Sequence, residues 1–131
     1  MTFSFEVVLH NLPYLIAAAR WTLLISISGI ALAIVLGTVI CAARIGPARG
    51  LRLISGFYIS AFRGVPLLVQ LLLFYYLLPR VGLDLPAAIL AVGMCSAAYV
   101  AEIQRSALQS IPAGQTEAAE ALGISSFALW Q

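Results

Sequence analysis

Thr22–Ala43 is twenty-two residues long and carries no charged side chain. About twenty such residues suffice to cross the hydrocarbon core of a bilayer as a helix. A run of this kind cannot be solvated as a loop, because lipid offers nothing to its backbone N–H and C=O groups. It is therefore read as a membrane-spanning helix. Gly29, Ala33 and Gly37 recur every fourth residue within it, which places a smooth stripe on one side where a second helix can approach closely. The whole chain shares this character: 63% of its 131 residues are hydrophobic and 9% are charged, against about a quarter charged in a soluble domain. All seven basic residues are arginines, and none forms a run that suggests nucleic acid. Cys41 and Cys95 fall in apolar stretches and are read as buried thiols, not as a disulfide or a metal site. His10 is a lone histidine, read as interfacial or solvated.

Two more apolar stretches follow. Leu53–Leu78 is read as a second span, although it contains Arg63, Gly64, Pro66 and Gln70. An arginine at the bilayer centre costs roughly 2.5–3.5 kcal/mol on insertion scales, so Arg63 is expected near a membrane surface or in a wet cavity. Pro66 is expected to bend the helix just before itself. Gln70 has two open readings: a hydrogen bond to a neighbouring helix, or a place on a transport path. Leu85–Leu108 is read as the third span. It is small on several sides, with Ala87, Ala88, Ala91, Gly93, Ser96, Ala97, Ala98 and Ala101, and so belongs inside a bundle. Glu102 and Arg105 stand three apart and can pair along one face. They are read as a self-neutralising pair, with contact to a zwitterionic substrate or a gate as the functional alternative.

The segment 1–19 reads as an interfacial lead-in, closed by Arg20-Trp21 as a surface anchor. No basic region precedes its apolar residues, so it is not expected to be a cleaved signal. Arg44, Arg49 and Arg52 form a short basic loop, whereas Pro79–Pro86 carries Arg80 against Asp84. The positive-inside bias places the first loop in the cytoplasm and the second outside. The N-terminus is then outside, and the segment after the third span is cytoplasmic.

That last segment is the one polar, helix-prone stretch. Gln115–Gly123 is rich in Ala, Glu and Gln, follows Pro112 and Gly114, and ends on a glycine suited to a left-handed stop. At about two turns it is too short to hold in water alone, since isolated helices need roughly 12–15 residues. It must dock on something, either its own protein or a partner. Ser125 or Ser126 is expected to cap a further helix starting at Phe127-Ala128-Leu129-Trp130.

Glu117-Ala118-Ala119, three residues, then Gly123, resembles the EAA loop of ABC-transporter permease subunits. Ala98-Tyr99-Val100-Ala101-Glu102-Ile103-Gln104-Arg105, Gly114-Gln115 and Phe62-Arg63-Gly64-Val65-Pro66-Leu67-Leu68-Val69-Gln70 resemble the branch that imports polar amino acids. The resemblance runs from about Arg20 to Gln131. It implies an all-helical integral membrane protein, a partial MetI-like type I importer bundle of three spans and a cytoplasmic coupling helix. Gly114, Glu117, Ala118, Ala119 and Gly123 would couple to the ATPase. Arg63, Gln70, Glu102 and Arg105 are candidates for a transport path or gate. The implied partners are ABC ATPase subunits, a second permease subunit of the same or a sister chain, a periplasmic amino-acid-binding protein and membrane lipid. No nucleic acid and no cofactor are expected, and no residue is assigned catalysis. The chain has no lysine and no phosphate-binding glycine-rich loop, so ATP must be hydrolysed on another subunit. The family's closing I-x-L-P would begin two residues past Gln131, and two further spans usually follow; the chain matches about half of such a permease. The rival readings are a small oligomeric channel or scaffold without an ATPase, and a membrane enzyme built on Glu102, Arg105 or His10.

Overall fold

The computed structural model describes residues 5–82 and 86–123, and all of its regular structure among them is helical. α1 (Phe5–Ile45) is followed by α2 (Arg49–Gly64), α3 (Leu67–Leu77), a 3-10 turn at Pro79–Val81, α4 (Ala87–Gln109) and α5 (Ala113–Ala121). The lead-in read over residues 1–19 is helical from Phe5 onward and continuous with the first span. Its 41 residues are about 62 Å long at 1.5 Å each, roughly twice the hydrocarbon thickness. Large apolar residues are exposed along its length, from Leu9, Tyr14 and Trp21 to Ile34, Val39 and Ile45. The expected helix at Phe127–Trp130, with its caps Ser125 and Ser126, lies outside the described residues.

The small-residue stripe is the centre of the fold. Gly29, Ala33, Gly37 and Cys41 are all buried, one every fourth residue, and α4 lies on them. The approach is close enough to exclude side chains: a Cβ on Gly29 would meet Val92 at 3.0 Å, and one on Gly37 would meet Val100 at 2.7 Å and the Ala97 carbonyl oxygen at 3.0 Å. From the other side, Gly93 faces Leu32. On α4, Ala91, Ala97, Ala98 and Ala101 have no exposed surface at all. Without a hydrophobic drive between helices in lipid, this close van der Waals fit is what joins them.

These contacts fix the direction of α4. Gly29 meets Val92, Gly37 meets Val100, and Thr38 accepts a hydrogen bond from Gln104 at 3.1 Å. Residue numbers rise together, so α1 and α4 run parallel. Two parallel spans start at the same membrane surface. Residues 46–86 must therefore carry the chain back across, and the Arg44–Arg52 loop ends up at the same end of the bundle as α5.

The stretch read as the second span, residues 53–78, is bent at Pro66 as expected, and sharply: α2 and the helical segment Leu67–Val81 form a pair bent by 105°. Neither half crosses alone: 16 residues make about 24 Å and 11 make about 16 Å, against roughly 30 Å of hydrocarbon. The cause is Pro66. It has no N–H for the Phe62 carbonyl, and its ring drives Val65 into extended backbone at φ −108°, ψ 131°. Gln70 repairs the break. Its Nε2 donates to the Phe62 carbonyl oxygen at 2.9 Å and to that of Val65 at 2.8 Å. The side-chain amide of Gln70 thus supplies the donor that Pro66 lacks. α2 leans on α4 through the Tyr58 hydroxyl, which donates to the Met94 carbonyl at 2.7 Å, and through Ile59, which joins Cys41 and Ala101 in a buried cluster.

Gln70→Leu keeps the volume but strands both carbonyls. A buried unsatisfied group costs about 1–3 kcal/mol. The thermal midpoint in detergent is expected to fall by roughly 5–10 °C, at a few degrees per kcal/mol for a chain of this size. An unchanged midpoint would remove Gln70 from the elbow and return it to the transport-path reading.

Candidate functional site

Two places carry the sequence candidates. The first is α5. Its nine residues start directly after Pro112, two earlier than the expected Gln115, because the proline's missing N–H costs nothing at a helix entrance. The Gln115 N–H reaches the Pro112 carbonyl at 3.0 Å, and the last turn closes with the Leu122 N–H on Ala118 at 3.1 Å. Gly123 then takes φ +71°, the left-handed region that a side chain resists. The expected stop is thus met at Gly123. Gly114, Gln115, Glu117, Ala118, Ala121 and Leu122 are exposed, and Ala119 is partly covered. Among the described residues α5 packs on none of the other four helices. Of the two docking choices left by its length, support from its own chain is absent among these residues. Leu122, at 79% exposure, offers an apolar tip beside the small Ala118.

The second is a polar belt on α2 and α4. The Arg63 guanidinium lies 5.2 Å from the centroid of the Tyr99 ring, a cation–π distance. Tyr99 is about midway along α4, and the Arg63 side chain is exposed. One turn further on, Arg105 pairs with Glu102 through both carboxylate oxygens, Nε to Oε2 at 3.0 Å and Nη2 to Oε1 at 2.5 Å. Arg105 also donates to Gln109 Oε1. The pair is about three-quarters buried on both sides. The two charges neutralise each other on one helix, as the spacing suggests. Gln70 is not part of this belt. It points into the elbow, beside Cys95 at 3.7 Å, and its Oε1 is buried without a partner among the described residues.

Sequence reasoning did not single out Tyr58, Tyr99 or the Thr38–Gln104 pair. A signal existed for one of them: an arginine in an apolar stretch needs an electron-rich partner, and Tyr99 is the aromatic residue nearest Glu102 in the chain. No group of three or more His, Cys, Asp or Glu side chains gathers to hold a metal among the described residues.

Comparison with known proteins places this arrangement. Residues 35–131 match the family model described as binding-protein-dependent transport system inner membrane component. The chain is 39% identical over 132 residues to a probable amino-acid ABC transporter permease protein, YckA, of Bacillus subtilis strain 168, covering 98% of this chain and 57% of the relative. It is 36% identical to the arginine transport system permease protein ArtQ of the same organism, over 95% of this chain and 58% of the relative. It is 35% identical to a putative glutamine transport system permease protein, GlnP, of Rickettsia prowazekii strain Madrid E, over 87% of this chain and 54% of the relative. Among solved structures, an amino acid ABC transporter crystallised with histidines superposes on all of this chain with a TM-score of 0.86 at 33% identity, over 63% of that chain. The chain therefore spans less than two thirds of the length of each of these proteins.

Proposed function

The chain belongs to the family of binding-protein-dependent transport system inner membrane components, and from that premise we propose that it forms part of the membrane-spanning permease of an ATP-driven importer of polar amino acids. The observation that carries the proposal is α5: a helix too short to stand alone, closed by a left-handed glycine and, among the described residues, packed on no other helix. Its seat is a groove on a separate ABC ATPase subunit. Ala118 and Ala119 allow close approach there, Glu117 makes the polar contact, and Gly114 and Gly123 set the entry and exit of the backbone.

The mechanism follows from a lever with a different contact in each state. When two ATPase subunits close on ATP, the two α5 helices of a permease pair move with them. The pair consists of this chain and a second copy or a sister chain. The motion reaches α4 through the short turn at Ser110–Pro112, and α4 carries α1 because Val92 and Val100 seat against Gly29 and Gly37, and Leu32 against Gly93, with no room to slip. Arg63, Tyr99, Glu102 and Arg105 stand on α2 and α4 where such rocking changes access to the bundle. An amino acid has one anionic and one cationic end, and a belt that offers an arginine and a carboxylate matches both. A periplasmic amino-acid-binding protein delivers the cargo. The chain itself performs no covalent chemistry in this scheme.

The scheme requires α5 and the Arg44–Arg52 loop to face the cytoplasm, and the N-terminus to face outside. This is tested by placing single cysteines at Glu117 and at Arg80 and adding a membrane-impermeant thiol reagent. In intact cells stripped of the outer wall, Arg80→Cys is expected to label and Glu117→Cys to remain unlabelled; inverted vesicles reverse the pattern. Labelling of Glu117→Cys from outside would leave α5 beyond the reach of any ATPase and end the proposal.

A further inference from the structure

We propose that the end of the bundle formed by Arg44, Arg49 and Arg52 binds the phosphate of an anionic phospholipid. This goes beyond the transport reading and needs only that α1 crosses the membrane. The three arginines and Leu53 line an open cleft of about 390 Å³. Arg44 is held in place. Its Nη1 donates to the Arg52 carbonyl oxygen at 2.8 Å, and its guanidinium lies over Gly56, where a Cβ would come within 2.7 Å of Nη1. One of its five N–H donors is used in this way, and the rest remain for a ligand.

No ion pair holds these charges, although the Glu102 carboxylate on α4 acts on Arg44 from a distance. Among the described residues no carboxylate pairs with any of the three arginines, and the first turn of α2 carries no acidic residue. Three cations gathered in nine residues, two of them at the positive end of a helix dipole, repel one another and that dipole. A phosphate oxyanion relieves both repulsions and suits the planar fork of arginine.

The surroundings select a lipid over a free anion or an acidic protein. The cleft opens where α1, long and apolar enough to cross a membrane, ends at Ile45, and the end of a crossing helix meets lipid headgroups. α2 is amphipathic, and Leu53, Ile54 and Phe57, at 75%, 69% and 78% exposure, present apolar surface beside the arginines. Acyl chains satisfy those residues while the headgroup phosphate meets the guanidinium groups. Basic side chains just beyond a span are drawn to anionic leaflets, and a preordered cleft adds geometry to that attraction. The lipid would brace the α1–α2 turn at the same end of the bundle as α5.

The test uses the purified 131-residue chain in a mild neutral detergent. Dioctanoyl phosphatidylglycerol, dioctanoyl phosphatidylcholine and inorganic phosphate are titrated separately, with thermal midpoint and native mass spectrometry as readouts. Phosphatidylglycerol is expected to raise the midpoint and to remain bound in the gas phase; the other two are expected to do neither. The triple variant Arg44→Gln/Arg49→Gln/Arg52→Gln is expected to lose at least tenfold in affinity. Should that variant fail to fold, the single variants R49Q and R52Q, whose side chains are exposed, are each expected to lose severalfold. Gly56→Ala, which displaces Arg44, is expected to weaken binding without removing a charge. Equal retention of phosphatidylcholine, an equal shift from inorganic phosphate, or undiminished phosphatidylglycerol binding by the variants would each overturn the proposal.

Discussion

Gly37→Ala is expected to push α1 off α4 and to lower the stability of the bundle by about 1–3 kcal/mol or more, the range for overpacked cores. The added methyl would sit 2.7 Å from Val100 Cγ1 and 3.0 Å from the Ala97 carbonyl oxygen. Val100 can rotate, but a backbone carbonyl cannot move without its helix. The contact is the largest in the fold, and close packing is what holds it in lipid. The expected readout is a fall of several degrees or more in the thermal midpoint and a smaller monodisperse fraction after detergent extraction. Gly93→Ala is expected to do less, because the atom in its way is the Cδ2 end of Leu32. Gly50→Ala is the control. Nothing lies within 4 Å of its Cβ, so the change is expected to be neutral or to stabilise α2 by about 0.5–1 kcal/mol. Equal behaviour of Gly37→Ala and Gly50→Ala would show that α1 and α4 do not meet where the structure has them.

Ala118→Arg is expected to abolish retention of an ABC ATPase subunit while leaving the protein folded. Ala118 is exposed and α5 touches no other helix among the described residues, so the substitution has little to disturb within the chain. In a groove that accepts a small residue, however, a guanidinium must either clash or be buried without a partner. Co-purification through this chain, with and without ATP, is expected to fall at least tenfold, equivalent to about 1.4 kcal/mol. Glu117→Ala removes a polar contact and is expected to weaken retention less. Gly123→Val strains the left-handed position at φ +71° by about 1–2 kcal/mol and is expected to fray the last turn. A thermal midpoint unchanged in Ala118→Arg and Glu117→Ala, together with reduced retention, separates docking from folding. Full retention by Ala118→Arg would refute the role of α5.

Much of this was legible in residue order. The charge-free run at residues 22–43 has one stable form in lipid, and α4, although it carries the Glu102–Arg105 pair, is likewise long and apolar enough to cross, so both helices as candidate spans followed from composition and length. The four-residue stripe at Gly29, Ala33 and Gly37 announced a close helix contact, and Gly123 announced its own left-handed turn. These are local facts: periodicity, propensity and the conformations a missing Cβ allows.

What the order of residues did not reveal is which helix fills the stripe. The alternation of loops already implied that the first and third spans run the same way; that it is α4 that lies on α1, with Gly29 at Val92 and Gly37 at Val100, depends on contacts between residues more than sixty positions apart. The sharpness of the elbow was likewise hidden. Pro66 declares a bend, but not its 105° nor that Gln70 reaches back to satisfy the carbonyls of Phe62 and Val65, an arrangement that only three-dimensional packing selects. Arg63 gave its cost and not its place, since a guanidinium in lipid is settled by whatever partner the fold brings to it, here the face of Tyr99. Local sequence fixes what each segment can be; the assembled helices decide what each segment meets, because backbone and side-chain polarity in lipid must be satisfied by neighbours that the chain order does not name.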